Sequence, residues 1–254
     1  MRRVICFVNR TIGARVAHDL ISLDGVELVL IVVHDSPHAD IDTKSFPRGA
    51  PVVPWSSFLN EVTSATEPYD AGVSALFGRI IPDSVLSLVT DGIVNLHPSL
   101  LPFGRGKHPA TWSIWEQMPY GASAHLVTSD VDSGPLLGQT RIPILDTDTS
   151  QTLYEKGLDG LWDLYVRKVR PWIQGLPVTW EVQASGGSLH READLTALKD
   201  FARDSTMSMR DHVRLLRALS MGPGQGLSLP SGAEDVVVEV SLRSRRKQPK
   251  AEEV

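Results

Sequence analysis

The first half of the sequence alternates short apolar runs with amphipathic segments, and this alternation restricts the fold more than any other feature. Residues 4–8 and Val26–Val33 are apolar and rich in β-branched residues, which is typical of strands covered on both faces. Between them, residues 12–23 carry apolar side chains at helical spacing. This strand–helix–strand rhythm predicts an α/β fold, a Rossmann-like twisted and mostly parallel sheet flanked by helices.

The same rhythm continues to about residue 175. Pro171 and the run Gly175-Leu176-Pro177 then interrupt the pattern, so residues 1–175 are predicted to form one domain. The helices predicted in this part are residues 55–64, 82–89 and 149–173, and the strands are residues 72–76, 92–96, 124–127 and 140–144.

Residues 176–247 are predicted to form a small C-terminal α+β subdomain, and residues 248–254 a disordered tail. The predicted elements are strands at 178–182 and 236–242 and helices at 193–201 and Met209–Leu219. An exposed closing strand tends to pair with another chain, which predicts a homodimer through residues after 176.

The composition excludes several classes of partner. The net charge is −5, and residues 176–254 hold 11 basic and 11 acidic residues, whereas a nucleic-acid partner normally requires a basic face. No apolar run reaches the length of a membrane span, and the first residues lack the features of a signal peptide, so a cytoplasmic protein is expected. The single cysteine, Cys6, excludes an internal disulfide and a cysteine-based zinc site.

The first strand runs into Asn9-Arg10-Thr11-Ile12-Gly13, which is not the G-x-G-x-x-G of a dinucleotide site, and no Walker A sequence occurs. Polar residues instead concentrate between residues 92 and 141. In Asn95-Leu96-His97 the first and third side chains share one side of an extended segment, and His97 is expected just past a strand end, where such sheets bind ligands.

These polar residues fall into an ordered set that resembles the folate-dependent formyltransferase family, most closely its nucleotide-sugar N-formyltransferases. The matching elements are Asn95-Leu96-His97-Pro98-Ser99-Leu100-Leu101-Pro102, Arg105-Gly106, the strand with Gly121, Ser123 and His125, Val131-Asp132-Ser133-Gly134-Pro135-Leu136-Leu137 with Gln139, and Asp148-Thr149 with Leu153. Each element alone is a weak signal, but five in this order over roughly 60 residues are a strong one.

The resemblance implies that Asn95, His97 and Asp132 are catalytic. Asn95 and His97 would donate hydrogen bonds to the oxyanion that develops when an amine attacks a formyl amide. Asp132, 35 residues beyond His97, would organise the proton transfers, and His125 is expected to support the site rather than to react.

The resemblance further implies 10-formyltetrahydrofolate as the formyl donor, with no metal. The segment 75–82 lies where the family's pterin-lining loop lies, and residues 128–132 would close the other wall. The residues predicted to bind the folate are Leu76, Phe77, Gly78, Arg79, Ile80, Ile81 and Asp130.

Three branches of the family differ in their acceptor. The purine-pathway branch has a Gly- and Ser-rich first loop, which residues 9–13 lack, and the initiator-tRNA branch has a longer, basic C-terminal extension. The sugar branch resembles this chain in Asn9-Arg10, in Arg105-Gly106 followed by Pro109-Ala110-Thr111-Trp112, and in its short second region.

A nucleotide-linked amino sugar is therefore the expected acceptor. The residues predicted to bind it are Arg10, Ser99, Arg105, Gly106, Lys107 and Trp112. The alternatives are another small amine, such as a hydroxyornithine or glycinamide ribotide, and a non-catalytic folate- or nucleotide-binding protein.

Overall fold

The computed structural model describes residues 1–35, 46, 49–61, 67–204, 206–231 and 234–244, except for the side chains of Arg10, Glu61 and Asp204. A seven-stranded sheet lies at its centre. Its strands are β1 (Arg2–Val8), β2 (Val26–Val33), β3 (Val52–Pro54), β4 (Ala71–Ala75), β5 (Ile93–His97), β7 (Tyr120–Leu126) and β8 (Leu136–Ile142).

The sheet has the order β3-β2-β1-β4-β5-β7-β8. The first five strands are parallel, and β7 and β8 extend the sheet in the antiparallel sense. The two smaller sheets pair β6 (Arg105–Gly106) with β9 (Leu189–His190) in parallel, and β10 (Leu227–Ser231) with β11 (Glu234–Val238) in antiparallel. The mostly parallel Rossmann-like sheet predicted from the sequence is confirmed.

The helices are distributed over both faces of this sheet and over the part of the chain after residue 175, here called the second region. They are α1 (Arg10–Ile21), α2 (Trp55–Glu61), α3 (Asp83–Leu86), α4 (Pro109–Trp115), α5 (Ser150–Leu164), α6 (Arg170–Ile173), α7 (Glu192–Asp204) and α8 (Met209–Leu219). No helix in the described ranges is both long and apolar enough to span a bilayer.

The central strand β1 separates two apolar cores. Because side chains alternate along a strand, Val4, Cys6 and Val8 pack on one face and Ile5 and Phe7 on the other. The first core contains residues of α1, α5 and α6, and the second contains α2 and α3. Burial on both faces accounts for the apolar strand sequences.

A third core joins the second region to the first. Trp112 of α4 packs in one cluster with Leu195, Leu198, Leu215 and Leu219 of α7 and α8. Residues after 176 therefore fold onto α4, next to the end of β5.

Several predicted elements differ from the structure. The strand predicted at 178–182 is absent, and a single antiparallel bridge joins Glu181 to Leu136. Val182 is 90% exposed, so no buried face selects a longer strand there. The sequence analysis predicts none of β3, β6, α4, β9 and β10, and α3 is shorter than the predicted helix at 82–89.

The long helix predicted at 149–173 is interrupted by a π-helical turn, Tyr165–Val169. The Arg170 N–H bonds to the Tyr165 carbonyl, and Pro171 has no N–H to continue an α-helical pattern. The end of the predicted helix at 55–64 and the predicted tail at 248–254 lie outside the described residues.

Candidate active site

Strand β5 places two polar side chains at the carboxyl end of the parallel part of the sheet. Asn95 and His97 are the third and fifth residues of β5, so both point to the same side. His97 is the last residue of the strand, which corrects the prediction that it follows the strand end. In the antiparallel neighbour β7, His125 pairs directly with Asn95, so their side chains are adjacent.

The Asn95 amide lies between two acceptors. Its Nδ2 is 3.1 Å from His125 Nε2 and 3.5 Å from Asp132 Oδ1. His125 is 2% exposed, and its Nδ1 lies 2.9 Å from the Leu126 carbonyl oxygen. Since a carbonyl only accepts, Nδ1 carries a hydrogen. Nε2 also lies 3.4 Å from Asp132 Oδ1, so it accepts from Asn95 in the neutral ring and donates to Asp132 when the ring is protonated.

The His97 ring is fixed by one backbone contact. Its Nε2 lies 2.9 Å from the Gly104 carbonyl oxygen and must donate to it. Nδ1 is then the nitrogen that accepts a proton in the neutral ring. Asp132 Oδ2 lies 3.7 Å from His97 Nε2, so a negative charge stands beside the ring when it becomes protonated.

Asp132 lies in a turn that brings its carboxylate to the end of β5. Its φ is +49°, a left-handed conformation that Asp tolerates better than most residues. The Gly106 N–H donates to Asp132 Oδ2 at 2.8 Å. Burial alone would raise the pKa of the Asp132 carboxyl, but His97, His125 and the Gly106 N–H outweigh it and hold that pKa well below its usual range. The site therefore holds Asp132 as a carboxylate.

A cavity of about 540 Å³ opens onto these side chains. Asn95, His97, His125 and Asp132 all line it. Such a volume falls in the range of pockets that enclose small ligands, roughly 300–1,000 Å³. All seven residues predicted to bind a folate line it as well: Leu76, Phe77, Gly78, Arg79, Ile80, Ile81 and Asp130.

The residues predicted to bind the acceptor are divided. Gly106 and Lys107 line the cavity. Ser99 does not: it is 1% exposed, and its carbonyl accepts from the Ser123 hydroxyl at 2.7 Å. Arg105 also lies outside the lining, and its backbone pairs with Leu189.

Trp112 is also outside the lining. It stacks on His190 with ring centroids 4.0 Å apart and belongs to the third core, so it does not line the cavity. An aromatic residue one helical turn into α4 packs against the second region instead. The side chain of Arg10 lies outside the described part of the structure.

Part of the cavity lining is not predicted by the sequence analysis. This part consists of Ser150, Tyr154, Met221 and Gln225, which come from α5 and from the loop after α8. Ser150 and Tyr154 belong to α5 of the first domain, and only Met221 and Gln225 are brought to the cavity by the packing of the second region. Among the described residues, no group of three or more His, Cys, Asp or Glu side chains is placed to hold a metal ion.

Comparisons with known proteins place this arrangement in a family. Residues 29–169 match the family described as Formyl transferase. A phosphoribosylglycinamide formyltransferase from Mycobacterium tuberculosis is 37% identical over 107 residues, which are 40% of this chain and 47% of that relative. The chain thus spans about half the length of the relatives it matches in sequence.

Solved structures share the fold over more of the chain. A sugar N-formyltransferase from Shewanella sp. has a TM-score of 0.78 at 24% identity and covers 97% of this chain and 99% of its own. An N-formyltransferase from Helicobacter canadensis, in complex with folinic acid and dTDP-3-aminofucose, has a TM-score of 0.69 at 17% identity, over 87% of this chain and 81% of its own. The family match covers more than half of the sequence, and this chain belongs to the formyl transferase family.

Proposed function

We propose that the protein transfers a formyl group from 10-formyltetrahydrofolate to the primary amine of a nucleotide-linked amino sugar, with Asn95, His97 and Asp132 as catalytic residues. The observation that carries the proposal is the meeting of these three side chains in one cavity, within 3.7 Å of one another through Asp132. Residues that are 35 and 37 positions apart in sequence have no structural need to converge on a cavity wall.

One end of the cavity suits a folate. Leu76, Phe77, Ile81 and Val127 offer an apolar wall, and backbone groups of the adjoining turns offer polar partners, the combination that planar heterocycles require. Arg79 and Lys107 add positive charge at this end, which suits a carboxylate-bearing ligand. When bound there, a 10-formyl folate supplies the formyl carbon: the amine nitrogen bonds to that carbon, the carbon–nitrogen bond to the folate breaks, and one proton passes from the amine to the folate nitrogen.

The residues of the chain have distinct roles in this transfer. Asn95 donates from Nδ2 to the formyl oxygen as negative charge develops there, and turns from one of its present acceptors to do so. His97 accepts the amine proton at Nδ1, since Nε2 is tied to Gly104. Asp132 stabilises the protonated ring and stays ionised. Once protonated, His97 is also a donor to the formyl oxygen and the source of the proton for the departing nitrogen.

The start of the fold favours a sugar acceptor over glycinamide ribotide. Only Asn9 separates β1 from α1, so no Gly- and Ser-rich loop is present there to surround a terminal phosphate. A Cβ on Gly13 would lie 2.7 Å from Val8 Cβ, which assigns Gly13 to the packing of α1 on β1. The Shewanella and Helicobacter proteins, whose fold this chain shares, support the same choice.

Glycinamide ribotide is the second candidate because the Mycobacterium tuberculosis relative at 37% identity is named for that acceptor. The decisive experiment supplies labelled 10-formyltetrahydrofolate with each acceptor in turn: dTDP- and UDP-linked amino sugars, glycinamide ribotide, hydroxyornithine and charged initiator tRNA. We expect label on an amino sugar nucleotide and none on tRNA. Label confined to glycinamide ribotide or tRNA would overturn the choice of acceptor, and the absence of transfer to every amine would overturn the proposed activity.

A further inference from the structure

A segment of the second region returns to the site. Residues 181–192, here named the return segment, run along the loops that carry the catalytic side chains. Most of its first ten residues are exposed, but Gln183, Ser188 and His190 are partly buried. Each of the three contacts a different part of the first domain. Gln183 contacts the turn at Asp132, the Ser188 hydroxyl accepts from the Gly104 N–H at 2.9 Å, and His190 stacks on the ring of Trp112 in α4.

The contact made by Gln183 is the most direct. Its Nε2 donates to the Asp132 carbonyl at 2.9 Å and to the Gly134 carbonyl at 2.8 Å. One amide thus uses its two hydrogens on the first and last residues of a three-residue turn. Gln183 is itself held, because Glu181 and Leu136 exchange two backbone hydrogen bonds of 2.7 and 2.9 Å.

The conformation of the turn at residues 132–134 is unfavourable without additional contacts. Asp132 is left-handed, a conformation that costs a residue with a Cβ roughly 1–2 kcal/mol. Gly134 lies so close to the end of β7 that an added Cβ would be 1.9 Å from the Leu126 carbonyl oxygen. Small changes in the turn would carry the Asp132 carboxylate away from the Gly106 N–H and from His97.

We propose that Gln183 is a positioning residue: by bonding both carbonyls of the turn it holds the Asp132 carboxylate against His97 and the Gly106 N–H. The inference rests on the proposed function and extends it to a residue beyond the stretch at 29–169 that matches the family. Gln183 does not line the cavity, so it acts through Asp132 and not on the substrates.

Two substitutions separate positioning from general stability. Gln183→Leu keeps the approximate volume and removes both donors. Gln183→Glu keeps the shape, but a carboxylate facing two carbonyl oxygens has no hydrogen to donate until it is protonated, and those oxygens raise its pKa. Val182→Ala is the matched control, because the neighbouring Val182 side chain is 90% exposed.

For Gln183→Leu we expect kcat to fall on the order of tenfold to a hundredfold, with the KM of the folate donor within about twofold. The ratio of kcat for Gln183→Glu to kcat for the unchanged protein should rise as the pH falls from about 8 to about 5.5, as the new carboxyl regains a donor hydrogen. The same ratio for Gln183→Leu should stay flat. If Gln183 only contributed to the stability of the fold, the pH dependence of kcat would not differ in this way between the two variants.

Hydrogen exchange gives a readout that does not depend on turnover. We expect faster amide exchange in the peptide covering residues 128–135 of both Gln183 variants, and unchanged exchange in Val182→Ala. Unchanged kcat in Gln183→Leu, or unchanged exchange at 128–135, would overturn the positioning role. If the unchanged protein formylates no amine, the proposed function fails, and the exchange measurement still decides whether Gln183 holds the turn.

Discussion

At the residue scale, the proposed mechanism depends on which nitrogen of His97 is available to a substrate. His97 Nε2 donates to the Gly104 carbonyl, which leaves Nδ1 for the role proposed for this ring. We expect His97→Asn to lower kcat on the order of a hundredfold to a thousandfold, with little change in the KM of the folate donor. Turnover and the melting temperature should be measured together, because near-normal turnover in a well-folded variant would remove His97 from the mechanism.

Ser99→Ala is the control for this measurement. Ser99 was predicted to bind the acceptor, but it is buried outside the cavity, and its hydroxyl makes no hydrogen bond within the described structure. Removing a buried hydroxyl without a partner costs little. Turnover by Ser99→Ala should therefore equal that of the unchanged protein.

The ionisation of the Asp132 carboxyl predicts how the effect of its substitution varies with pH. Its pKa in the folded protein lies well below the usual value near 3.9, so the carboxylate is ionised throughout the range from about pH 5 to 8. Asp132→Asn should lower kcat by nearly the same factor at every pH in that range. A loss of kcat that becomes much smaller as the pH falls would show that Asp132 titrates in that range.

The proposed mechanism has Asp132 act through His97, so the two substitutions should not be independent. We expect the double variant Asp132→Asn and His97→Asn to lose far less kcat than the product of the two single losses.

The stabilising effect of the Asp132 charge has a defined sign. A carboxyl whose pKa is lowered on folding contributes its stability above the unfolded pKa and loses that contribution as the pH falls toward the folded pKa. The difference in unfolding free energy between the unchanged protein and Asp132→Asn should therefore be constant near neutral pH and shrink below about pH 4.

At the element scale, the pairing of β6 with β9 joins the two regions next to the Asp132 carboxylate. Gly106 has a φ of +83°, and a Cβ there would lie 2.3 Å from the His190 carbonyl oxygen. We expect Gly106→Ala to separate the two strands, to displace the N–H that binds Asp132, and to lower both kcat and the unfolding free energy.

Gly186→Ala is the matched control for this substitution. Gly186 also has a positive φ, +95°, but an added Cβ would meet nothing within 4 Å. It should cost only the backbone strain, roughly 1–2 kcal/mol, whereas Gly106→Ala should cost about 1–3 kcal/mol more from the clash. Urea unfolding of both variants measures the difference, and equal losses would show that strand pairing at Gly106 is unimportant.

At the scale of the whole molecule, the hairpin of β10 and β11 has too small a sheet to be stable without further packing. Val236 is 52% exposed and Val237 42% exposed on β11. The homodimer predicted through residues after 176 stays a prediction. We expect light scattering to report a dimer, and Val236→Lys to shift it toward monomer while Val182→Lys does not. A monomer at working concentration, or a dimer insensitive to Val236→Lys, would contradict this arrangement.

Local sequence patterns were sufficient to predict many of the strands and helices. The strands β1, β2, β4 and β5 and the helices α1 and α8 lie within about two residues of their predicted bounds. Each of them buries a continuous apolar face, so hydrophobic periodicity alone indicates it. The prediction of a strand at 178–182 is wrong because its apolar residues meet no buried face. The π turn at Tyr165–Val169 was not predicted because one extra residue in a turn does not change the apolar periodicity enough to be seen.

Sequence patterns alone were sufficient for the main strands and helices of the central sheet, for the family resemblance and for the identity of the polar residues proposed for catalysis. These properties follow from short stretches whose residues act on their immediate neighbours. Which side chains meet became visible only in the folded structure. His125 contacts both Asn95 and Asp132, Trp112 packs in the third core, and Gln183 bonds to the Asp132 turn. Contacts between residues 30 or more positions apart depend on how the elements pack, and no local pattern in a single sequence encodes that packing.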